Sequence, residues 1–523
     1  MPHFPFWTFL ALALGLGSAL EAQAPPVLNG AVVDGAGRPL PGVVVVAGRT
    51  GSPVRHGTVT DASGRFAIRV ADQADYQVAV ADSRFEGAAE TARSSAGSTQ
   101  LRATPKAAPS HPSSSWLSGL PEGREKRWFI LDCTGCHQFN ETRALRDGAP
   151  RSAAQWRDDV TRMLRQFGSQ SGFPIIGDAA DKLGLVDWVT RHNRGEPVPV
   201  VRPPGTTRYT ITEYDLPGPD LPHDVAVDSA GKIVVTGMFT HRLLALDPAT
   251  GATTVIAIPV PGANPRAIEV DRAGDWWVLL GGPGKVGRYR PGTGAWAFAD
   301  VGMYAHSIGI GQDGGVWANH HFATDSIRLA VVAERGGTLA ATHVRGPLVV
   351  GAAMGPSPIP YELRVGPNGV VWMSLLHGNA MVSFDPATRR FDSIPMPEPD
   401  AGPRRFDIDR SGALWIPAYS GSALFRLDPA TRRFERFELP IGSSLPYVAR
   451  VHPRTGDVWI GTGAPDVVYR FSPRTGAFET LPVLTRGASM RHMAIDPRSG
   501  DIWIAYGASP AIHPTRVARI QTQ

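Results

Sequence analysis

The chain has 523 residues, which is too long for one ordinary hydrophobic core, so several domains are expected. Hydrophobic residues make up 42% and charged residues 19% of the sequence, a balance that excludes an intrinsically disordered chain. The formal net charge is only +5, and no dense run of Lys or Arg is present, which argues against a nucleic-acid-binding protein. The 58 glycines and 47 prolines favour many turns and short strands over long helices.

The N-terminus carries an apolar run from Phe4 to Leu20, followed by the small-x-small pattern Ala22-Gln23-Ala24. This order is typical of a secretory signal peptide over residues 1–24, with cleavage expected after Ala24. The residues before the apolar run lack Lys and Arg, so an uncleaved membrane anchor is the alternative. We therefore predict an exported protein, periplasmic or extracellular.

Residues 27–103 alternate short apolar strands with Gly-containing turns, which predicts a small β-sandwich. The pattern G-x-V-x-D-x-x-G-x-P-L-x-G-V-x-V, followed by T-D-x-x-G-x-F, resembles carboxypeptidase regulatory-like domains. That resemblance implies an adhesion or spacing module, and hence cell-surface association, rather than catalysis. Residues 104–118 are rich in Pro, Ser and Ala, which is typical of a linker.

Residues 120–196 change to helical periodicity and are predicted to form a small all-α domain. Three candidate helices cover "EKRWFILDCTGCHQF", "SAAQWRDDVTRMLRQF" and "DAADKLGLVDWVTRHN". In the second, Ser152 is a suitable N-cap, and Trp156, Val160, Met163 and Phe167 fall on one face.

Both cysteines of the chain lie in this segment, and Cys133, Cys136 and His137 form the motif C-x-x-C-H. A structural zinc site would need four ligands, and the sequence has no second cysteine pair. A dithiol redox motif would be expected near a βαβ pattern, and a plain disulfide is a further alternative. The motif is the attachment signature of a c-type haem, in which the thiols bind the porphyrin and His137 is the proximal iron ligand. Export suits this interpretation, because haem is attached outside the cytoplasm.

With this motif, residues 120–196 resemble a short class I-type cytochrome c domain. The resemblance implies one covalent haem c, electron transfer and a redox partner protein. Such domains often use methionine as the second axial ligand, and Met163 is the one methionine between Leu120 and Glu196. Its setting, "WRDDVTRMLRQFG", is similar to the W-x-x-V-x-x-M helix of cytochrome domains fused to lyase-like or amine-dehydrogenase-like modules. The alternatives are that Met163 is a core residue or that His192 is the ligand.

The rest of the chain repeats with a period of roughly 45 residues, which is in the range of propeller blades. Seven units align on a Trp, or on Val in the first unit, and each fits a four-stranded antiparallel blade. The segment "RYTITEYDL" is predicted to supply the outer strand of the last blade. We predict a closed seven-bladed β-propeller over residues 208–523 and a multidomain, mainly β chain.

The blade motifs "GPNGVVWMS" and "LDPATRRFDSIPMP" resemble the streptogramin (virginiamycin B) lyase family over the whole propeller. The resemblance implies elimination that opens a cyclic ester, with His and Glu beside a divalent ion. The family pattern ends in W-F-T-E, and its glutamate is missing from the corresponding tetrapeptides, such as "WANH" and "WMSL". A lyase with an accessory haem is therefore the alternative to an electron-transfer protein. A non-catalytic haem-containing binding or adhesion protein is the third hypothesis.

Strand direction predicts one pocket face of the propeller. The D/N-G turns join the first two strands of each blade at one face, so the start of the first strand and the end of the second meet at the opposite face. The residues expected there are His223, His241, His306, His320, His321, Tyr361, Glu362, His377, Tyr419, Tyr447, Arg491, His492 and Tyr506. Seven of the 15 histidines fall on this face, which indicates a site for a small molecule or partner, and a polar rim is the alternative.

Within that face, His306, Glu362 and His377 are the candidate catalytic residues. His320 and His321 are the candidate ligands of a divalent metal, because imidazole suits zinc and copper.

Overall fold

The computed structural model describes residues 25–94, 97–135, 137–167, 179–199, 208–347, 357–507 and 515–522. The predicted signal peptide and Cys136 lie outside these residues. Strands account for 46% and helices for 9% of the chain, so the molecule is mainly β, as its glycine and proline content indicates. Within the described ranges, no helix combines the length and the apolar character needed to span a bilayer.

The N-terminal region folds as the predicted small β domain. Its strands are β1 (Val27–Val33), β2 (Val44–Gly48), β3 (Val54–Val59), β4 (Arg65–Arg69), β5 (Asp75–Val80), β6 (Phe85–Glu86), β7 (Glu90–Arg93), β8 (Ser98–Arg102) and β9 (Thr104–Pro105). β1 pairs antiparallel with β4 and parallel with β8. In β4, Phe66 and Ile68 are buried whereas Arg65 is exposed, so the period of two seen in the sequence separates core from solvent.

Residues 113–192 form a segment that we call the helical cap. Its elements are α1 (Ser113–Ser118), α2 (Arg124–Cys133), α3 (Glu141–Ala144), β10 (Leu145–Arg146), β11 (Ala149–Pro150), α4 (Ala153–Phe167) and α5 (Ala179–His192). Ser152 caps α4, as predicted: the Gln155 amide donates to Ser152 Oγ at 3.3 Å, and the Ser152 amide donates to Gln155 Oε1 at 2.9 Å. α1 occupies the end of the segment predicted as a linker, because Trp116 and Leu117 are buried.

The prediction of a separate all-α cytochrome c-like domain is wrong. The apolar faces of the helices share one hydrophobic cluster with the propeller, in which Phe129 and Trp188 lie with Tyr361, Tyr419 and Tyr447. The segment also contains the hairpin formed by β10 and β11. Helical periodicity identifies an apolar face but not the surface that buries it, so the sequence could not distinguish a domain from a cap.

Within the described residues, six four-stranded antiparallel sheets and four strands of an eight-stranded sheet form the seven blades of the propeller. The first three are β13 (Pro222–Val227), β14 (Ile233–Gly237), β15 (Arg242–Leu246) and β16 (Thr253–Ala257); β17 (Pro265–Val270), β18 (Trp276–Leu280), β19 (Lys285–Arg290) and β20 (Ala295–Asp300); and β21 (Ala305–Ile310), β22 (Val316–His320), β23 (Arg328–Arg335) and β24 (Thr338–Arg345). The next two are β25 (Pro360–Val365), β26 (Val371–Leu375), β27 (Ala380–Asp385) and β28 (Arg390–Pro395); and β29 (Asp407–Ile408), β30 (Leu414–Ala418), β31 (Ala423–Asp428) and β32 (Arg433–Glu438). The last two are β33 (Pro446–Val451), β34 (Val458–Thr462), β35 (Val467–Ser472) and β36 (Ala477–Pro482); and β37 (Met490–Ile495), β38 (Ile502–Tyr506) and β39 (Arg516–Thr522) with β12 (Tyr209–Asp215).

The repeated tryptophan that marks the blades has a structural role. Trp277 Nε1 donates to Asp271 Oδ2 at 2.8 Å, and Trp415 Nε1 donates to Asp409 Oδ2 at 3.0 Å. The same aspartates accept backbone N–H groups of their own turns, as in the 2.9 Å bond from Asp275 to Asp271 Oδ1. The strongest repeat signal in the sequence therefore reports blade folding rather than chemistry.

The last blade is closed by the first propeller strand, as predicted from "RYTITEYDL". β12 pairs antiparallel with β39, placing Ile211 opposite Ile520. β3 of the N-terminal domain then pairs with the other side of β12, with Gly57 opposite Ile211. A Cβ atom on Gly57 would lie 2.7 Å from Leu484 Cδ2, so glycine permits this close approach. One eight-stranded sheet thus joins the two regions and covers an edge that would otherwise be free to pair with other chains.

Candidate functional site

A β-bulge at the start of the inner strand positions the site. In six blades the pairing register shifts at this point. A bulge changes the direction of the side chains at that point, so two consecutive residues can both face the central channel. The residues at the corresponding position of all seven blades form a set that we call the upper ring: His223, Arg266, His306, Tyr361, Arg404, Tyr447 and Arg491.

The upper ring borders a cavity of about 80 Å³ beneath the helical cap. Six of its seven residues line this cavity, and Tyr447 hydrogen-bonds to Tyr361 and accepts a 3.1 Å bond from Arg491 Nη1. The remaining lining residues are Leu131, Asp132, Gly135, Leu221, Met238, Phe239, His321, Ile359, Leu376 and His377. Phe239 is 43% exposed, so the cavity reaches the surface beside it.

The loop that carries the C-x-x-C-H motif contacts the propeller directly above this cavity. Thr134 Oγ1 lies 3.1 Å from Tyr419 Oη, which also donates to the Thr134 carbonyl at 2.9 Å. A Cβ atom on Gly135 would lie 3.2 Å from Arg404 Nη2, so the glycine allows the guanidinium to approach the loop. Arg404 lies over the ring of Tyr419 at 3.6 Å and over that of Tyr447 at 4.1 Å. The motif and the propeller pocket therefore form one site.

The described residues of the motif fit the attachment of a haem. Cys133 ends α2 with a free, half-buried thiol, and burial raises the pKa of that thiol to about 12. His137 Nδ1 donates to the Gln138 carbonyl at 3.2 Å, and burial lowers the pKa of the imidazole to about 4. His137 is thus neutral with Nε2 unprotonated, the tautomer that a histidine needs to bind iron through Nε2.

The two candidate distal ligands lie on different helices of the cap. Met163 is half-buried in α4 and packs against the same hydrophobic cluster as Cys133. His192 ends α5, and its ring lies 5.7 Å from that of Trp188. The contacts of Met163 are compatible both with a core role and with a ligand role.

Three histidines of the cavity are each held in one tautomer. The Nδ1 atoms of His223, His306 and His321 lie 2.6, 2.9 and 2.9 Å from backbone carbonyl oxygens of the next blade. A carbonyl only accepts, so each Nδ1 carries the hydrogen and each Nε2 is a bare acceptor. Burial lowers the pKa of His223 to about 3 and holds those of His306 and His321 well below the usual value, so all three are neutral.

His223 differs from the other two because a carboxylate lies beside it. Its Nδ1 is 2.8 Å from Asp224 Oδ1, and its Nε2 is buried without a hydrogen-bond partner among the described residues. Burial alone would raise the pKa of Asp224, but the guanidinium of Arg405, 2.8 Å away, outweighs burial and keeps the carboxyl ionised. The pair has the orientation in which a carboxylate supports a histidine general base.

Below the upper ring, side chains of the inner strands form a network of ion pairs around Glu362. Glu362 lies 3.0 Å from Arg364, 3.1 Å from Arg450 and 3.6 Å from Arg405. Glu362 is 1% exposed and is not among the residues that line the cavity. The structure therefore gives this candidate catalytic residue the contacts of an ion-pair partner.

The other candidates from the sequence are placed as follows. His306 and His377 line the cavity, and His377 Nε2 lies 3.9 Å from Asp132 Oδ1. His321 also lines it, whereas its neighbour His320 is half-buried outside the lining. Among the residues that the structure describes, no three His, Cys, Asp or Glu side chains converge closely enough to hold a metal ion.

Sequence reasoning missed two arginines of the site, Arg266 and Arg404. Each follows a proline at the register of His223 and Tyr361, which also follow prolines. An alignment of the blades on this Pro-x pair, rather than on the tryptophan, would have found them. Asp132 was missed because only the docking of the cap brings it to the cavity.

Comparison with known proteins assigns the N-terminal domain and the propeller fold. Residues 27–104 match the model of the carboxypeptidase regulatory-like domain, which confirms that prediction. No curated protein matches the chain.

Solved structures similar to the propeller include streptogramin lyases. A streptogramin B lyase is 17% identical with a TM-score of 0.52, over 60% of this chain and 98% of that one. Virginiamycin B lyase from Staphylococcus aureus is 16% identical with a TM-score of 0.51, over 60% of this chain and 100% of that one. The catalytically inactive histidine-to-alanine variant of that enzyme, solved with quinupristin, is 17% identical with a TM-score of 0.52, over 60% of this chain and 100% of that one. At these identities the similarity shows that the chain shares their propeller fold, and nothing about their activity.

Proposed function

We propose that the protein is an exported c-type haem protein that moves electrons between a haem on the C-x-x-C-H motif and a small molecule in the propeller cavity. The observation that supports it is the position of the motif. Asp132 and Gly135 form one wall of a cavity whose other walls are the buried polar residues of the upper ring. Electrons would leave through a redox partner protein.

Four residues would hold the group. Cys133 and Cys136 would form the thioether bonds, and His137 would bind iron through its unprotonated Nε2. Met163 would be the second side chain to bind the iron, because it packs against the cluster that Cys133 also contacts. Bound haem would supply one-electron transfer.

The chain's own residues would bind the small molecule and handle its protons. The helical cap excludes bulk water from above, which strengthens electrostatic interactions inside the cavity. Arg266, Arg404 and Arg491 place positive charge around it. His223 Nε2, supported by Asp224, is positioned to accept a proton from a bound molecule.

The haem proposal is tested on the exported protein from a host with working haem-attachment machinery. We expect one covalent haem that resists acid-acetone extraction and gives a reduced-minus-oxidised c-type spectrum. Cys133→Ala combined with Cys136→Ala should abolish the colour and leave the propeller folded, as judged by circular dichroism. A colourless wild-type protein would overturn the proposal.

The ligand role of Met163 is tested separately. Met163→Ala should keep the covalent haem and lose the weak far-red band of a methionine–ferric iron bond. Leu164→Ala is the matched control, since Leu164 packs against the same cluster from the same helix. If both variants keep the band and the reduction potential of wild type, Met163 is a core residue.

Streptogramin-type elimination is the second candidate function, because the propeller shares the fold of streptogramin B lyases. The cavity is unsuited to such a substrate: at about 80 Å³ it is well below the roughly 150 Å³ cavity that binds benzene. A macrocycle would also have to displace the loop bonded to Tyr419. We expect no ring opening when the purified protein is incubated with a streptogramin B compound, and efficient ring opening would favour the lyase.

A further inference from the structure

We infer that the capped cavity binds a small oxyanion, such as a carboxylate, together with one proton, with Arg266 holding the anion and His223 the proton. This inference deepens the proposed function by naming the chemical class of the small molecule. It rests on that function only for the redox use of the anion, because the binding site itself consists of propeller side chains.

Arg266 carries the first part of the argument. Its side chain is buried, and its Nε has no hydrogen-bond partner among the described residues. The guanidinium lies 5.2 Å from the ring of Tyr304 and donates to its hydroxyl, and the part of the chain that the structure describes offers it no carboxylate. A buried cation with an unused donor is costly, and an anion in the cavity would remove that cost.

The charge around the cavity favours an anion. Arg266, Arg404 and Arg491 line it, against one carboxylate, Asp132. Asp132 Oδ1 lies 3.9 Å from His377 Nε2 at the edge of the same cavity.

The carboxylates below the ring do not offset this charge, because they have their own cations. Asp224 is bonded to Arg405 at 2.8 Å, and Glu362 to Arg450 at 3.1 Å and Arg364 at 3.0 Å. Among the described residues, Arg266 therefore has no carboxylate partner either in the cavity or below it.

The volume limits the size of the anion. The cavity measures about 80 Å³. Since a cavity of about 150 Å³ accommodates the six carbons of benzene, roughly half that volume suits an anion of three to five heavy atoms. Formate and inorganic phosphate meet this limit, whereas citrate does not.

The histidines explain why a proton accompanies the anion. Their bare Nε2 atoms present lone pairs, which would repel an oxyanion unless a hydrogen lies between them. His306 and His321 stack at 4.5 Å and their Nδ1 atoms donate to carbonyls, so among the described residues neither ring has a carboxylate bonded to it that would stabilise a positive charge. His223 has Asp224 at its Nδ1, so it is the histidine best placed to hold the proton.

The other groups that face His223 also determine how readily its imidazole takes up a proton. Arg405 lies 3.4 Å from its Nδ1, the Arg266 guanidinium raises the local positive potential, and the ring of neutral His306 is 5.6 Å away. Without a bound anion, these cations and burial keep His223 neutral. A bound anion adds the negative charge that allows it to take up a proton.

Calorimetry on the full-length protein with formate, phosphate and citrate tests the anion. We expect formate or phosphate to bind and citrate not to bind. Arg266→Gln should weaken binding by about tenfold or more, since a charge-assisted contact is lost. Arg272→Gln, at an exposed arginine of the same blade, is the matched control and should match wild type.

The proton is tested by repeating the formate titration above pH 7 in two buffers of different ionisation enthalpy. Wild type should take up about one proton per anion, and His223→Gln should take up few or none. His343→Gln, at an exposed histidine of β24, should behave as wild type. Circular dichroism confirms that each variant is folded.

The inference is overturned by the absence of heat with both small anions, by equal affinity in Arg266→Gln, or by unchanged proton uptake in His223→Gln. Haem attachment is measured by absorption spectroscopy, and anion binding is measured separately by the heat in calorimetry. A colourless protein that binds formate would thus refute only the redox function, and a haem-loaded protein that binds no anion would refute only this inference.

Discussion

The two mouths of the propeller channel are built from the same seven inner strands but arrange their charges differently. At the capped mouth, arginines outnumber carboxylates, and Arg266 Nε and His223 Nε2 have no hydrogen-bond partner among the described residues. Such atoms weaken a fold unless a ligand satisfies them.

The far mouth, where the inner strands end, has matched charges. It surrounds a cavity of about 300 Å³ lined by Glu269, Arg364, Asp407, Arg450 and His492. Arg364 bonds to Glu269 at 3.0 Å, and Arg450 Nη2 donates to His492 Nε2 at 2.8 Å. The comparison teaches that charge alone does not mark a site: each cavity is lined by four Asp, Glu or Arg side chains, but only at the far mouth are the positive and negative side chains equal in number.

The largest expected effect is that of Arg405→Met, in the network of ion pairs below the upper ring. Arg405 bonds to Asp224 at 2.8 Å and lies 3.6 Å from Glu362, so its loss leaves two buried carboxylates with weaker compensation. We expect the free energy of unfolding to fall by about 3–5 kcal/mol in urea denaturation. Arg266→Met at the capped mouth is the control and should lose about 1 kcal/mol or less, because the loss of the cation–π contact and of the hydrogen bond to the Tyr304 hydroxyl is offset by removing a buried cation that has no carboxylate partner among the described residues. Equal losses in the two variants would contradict the contrast.

The second test is the dependence of the free energy of unfolding on acidic pH. His223 has a folded-state pKa of about 3 against an ordinary value of 6.5, so the unfolded chain binds its proton first. Its contribution to stability is therefore complete above pH 6.5 and is lost as the pH falls, by about 2 kcal/mol between pH 6.5 and 5. His223→Gln should flatten the fall in the urea midpoint over that range. Formate should also reduce the fall in wild type, and a slope insensitive to both changes would assign the acid lability to other groups.

The smallest test concerns the cap. Thr134→Val removes the hydroxyl that lies 3.1 Å from Tyr419 Oη and should cost about 1 kcal/mol. Hydrogen exchange in α2 should become faster, while exchange in the far blades stays unchanged. Thr142→Val, at an exposed threonine of the same segment, serves as the control. If α2 exchanges at the wild-type rate in both variants, this contact does not fasten the cap.

Local patterns predicted the elements well where the chain folds by local rules. The D/N-G turns, the tryptophan repeat and the strand that closes the last blade all gave correct strands, because turn chemistry and blade packing act over a few tens of residues. The face that carries His223, His306 and His321 was also predicted, since strand direction fixes which ends meet. Arg266 and Arg404 were missed because the alignment followed the tryptophan, which is a structural residue.

The sequence by itself determined the C-x-x-C-H motif, the carboxypeptidase regulatory-like domain and the repeating blades, since each is written in contiguous residues. Only the tertiary structure decided that the helices form a cap rather than a domain, and that Gly135 lies on Arg404. The pairing of β3 with β12 was also visible only in the tertiary structure. The same holds for which polar atoms of the channel have a hydrogen-bond partner among the described residues. The physical reason is that an amphipathic helix face or a charged side chain indicates the kind of partner it requires. The residues that form this partner lie in segments hundreds of residues away along the chain.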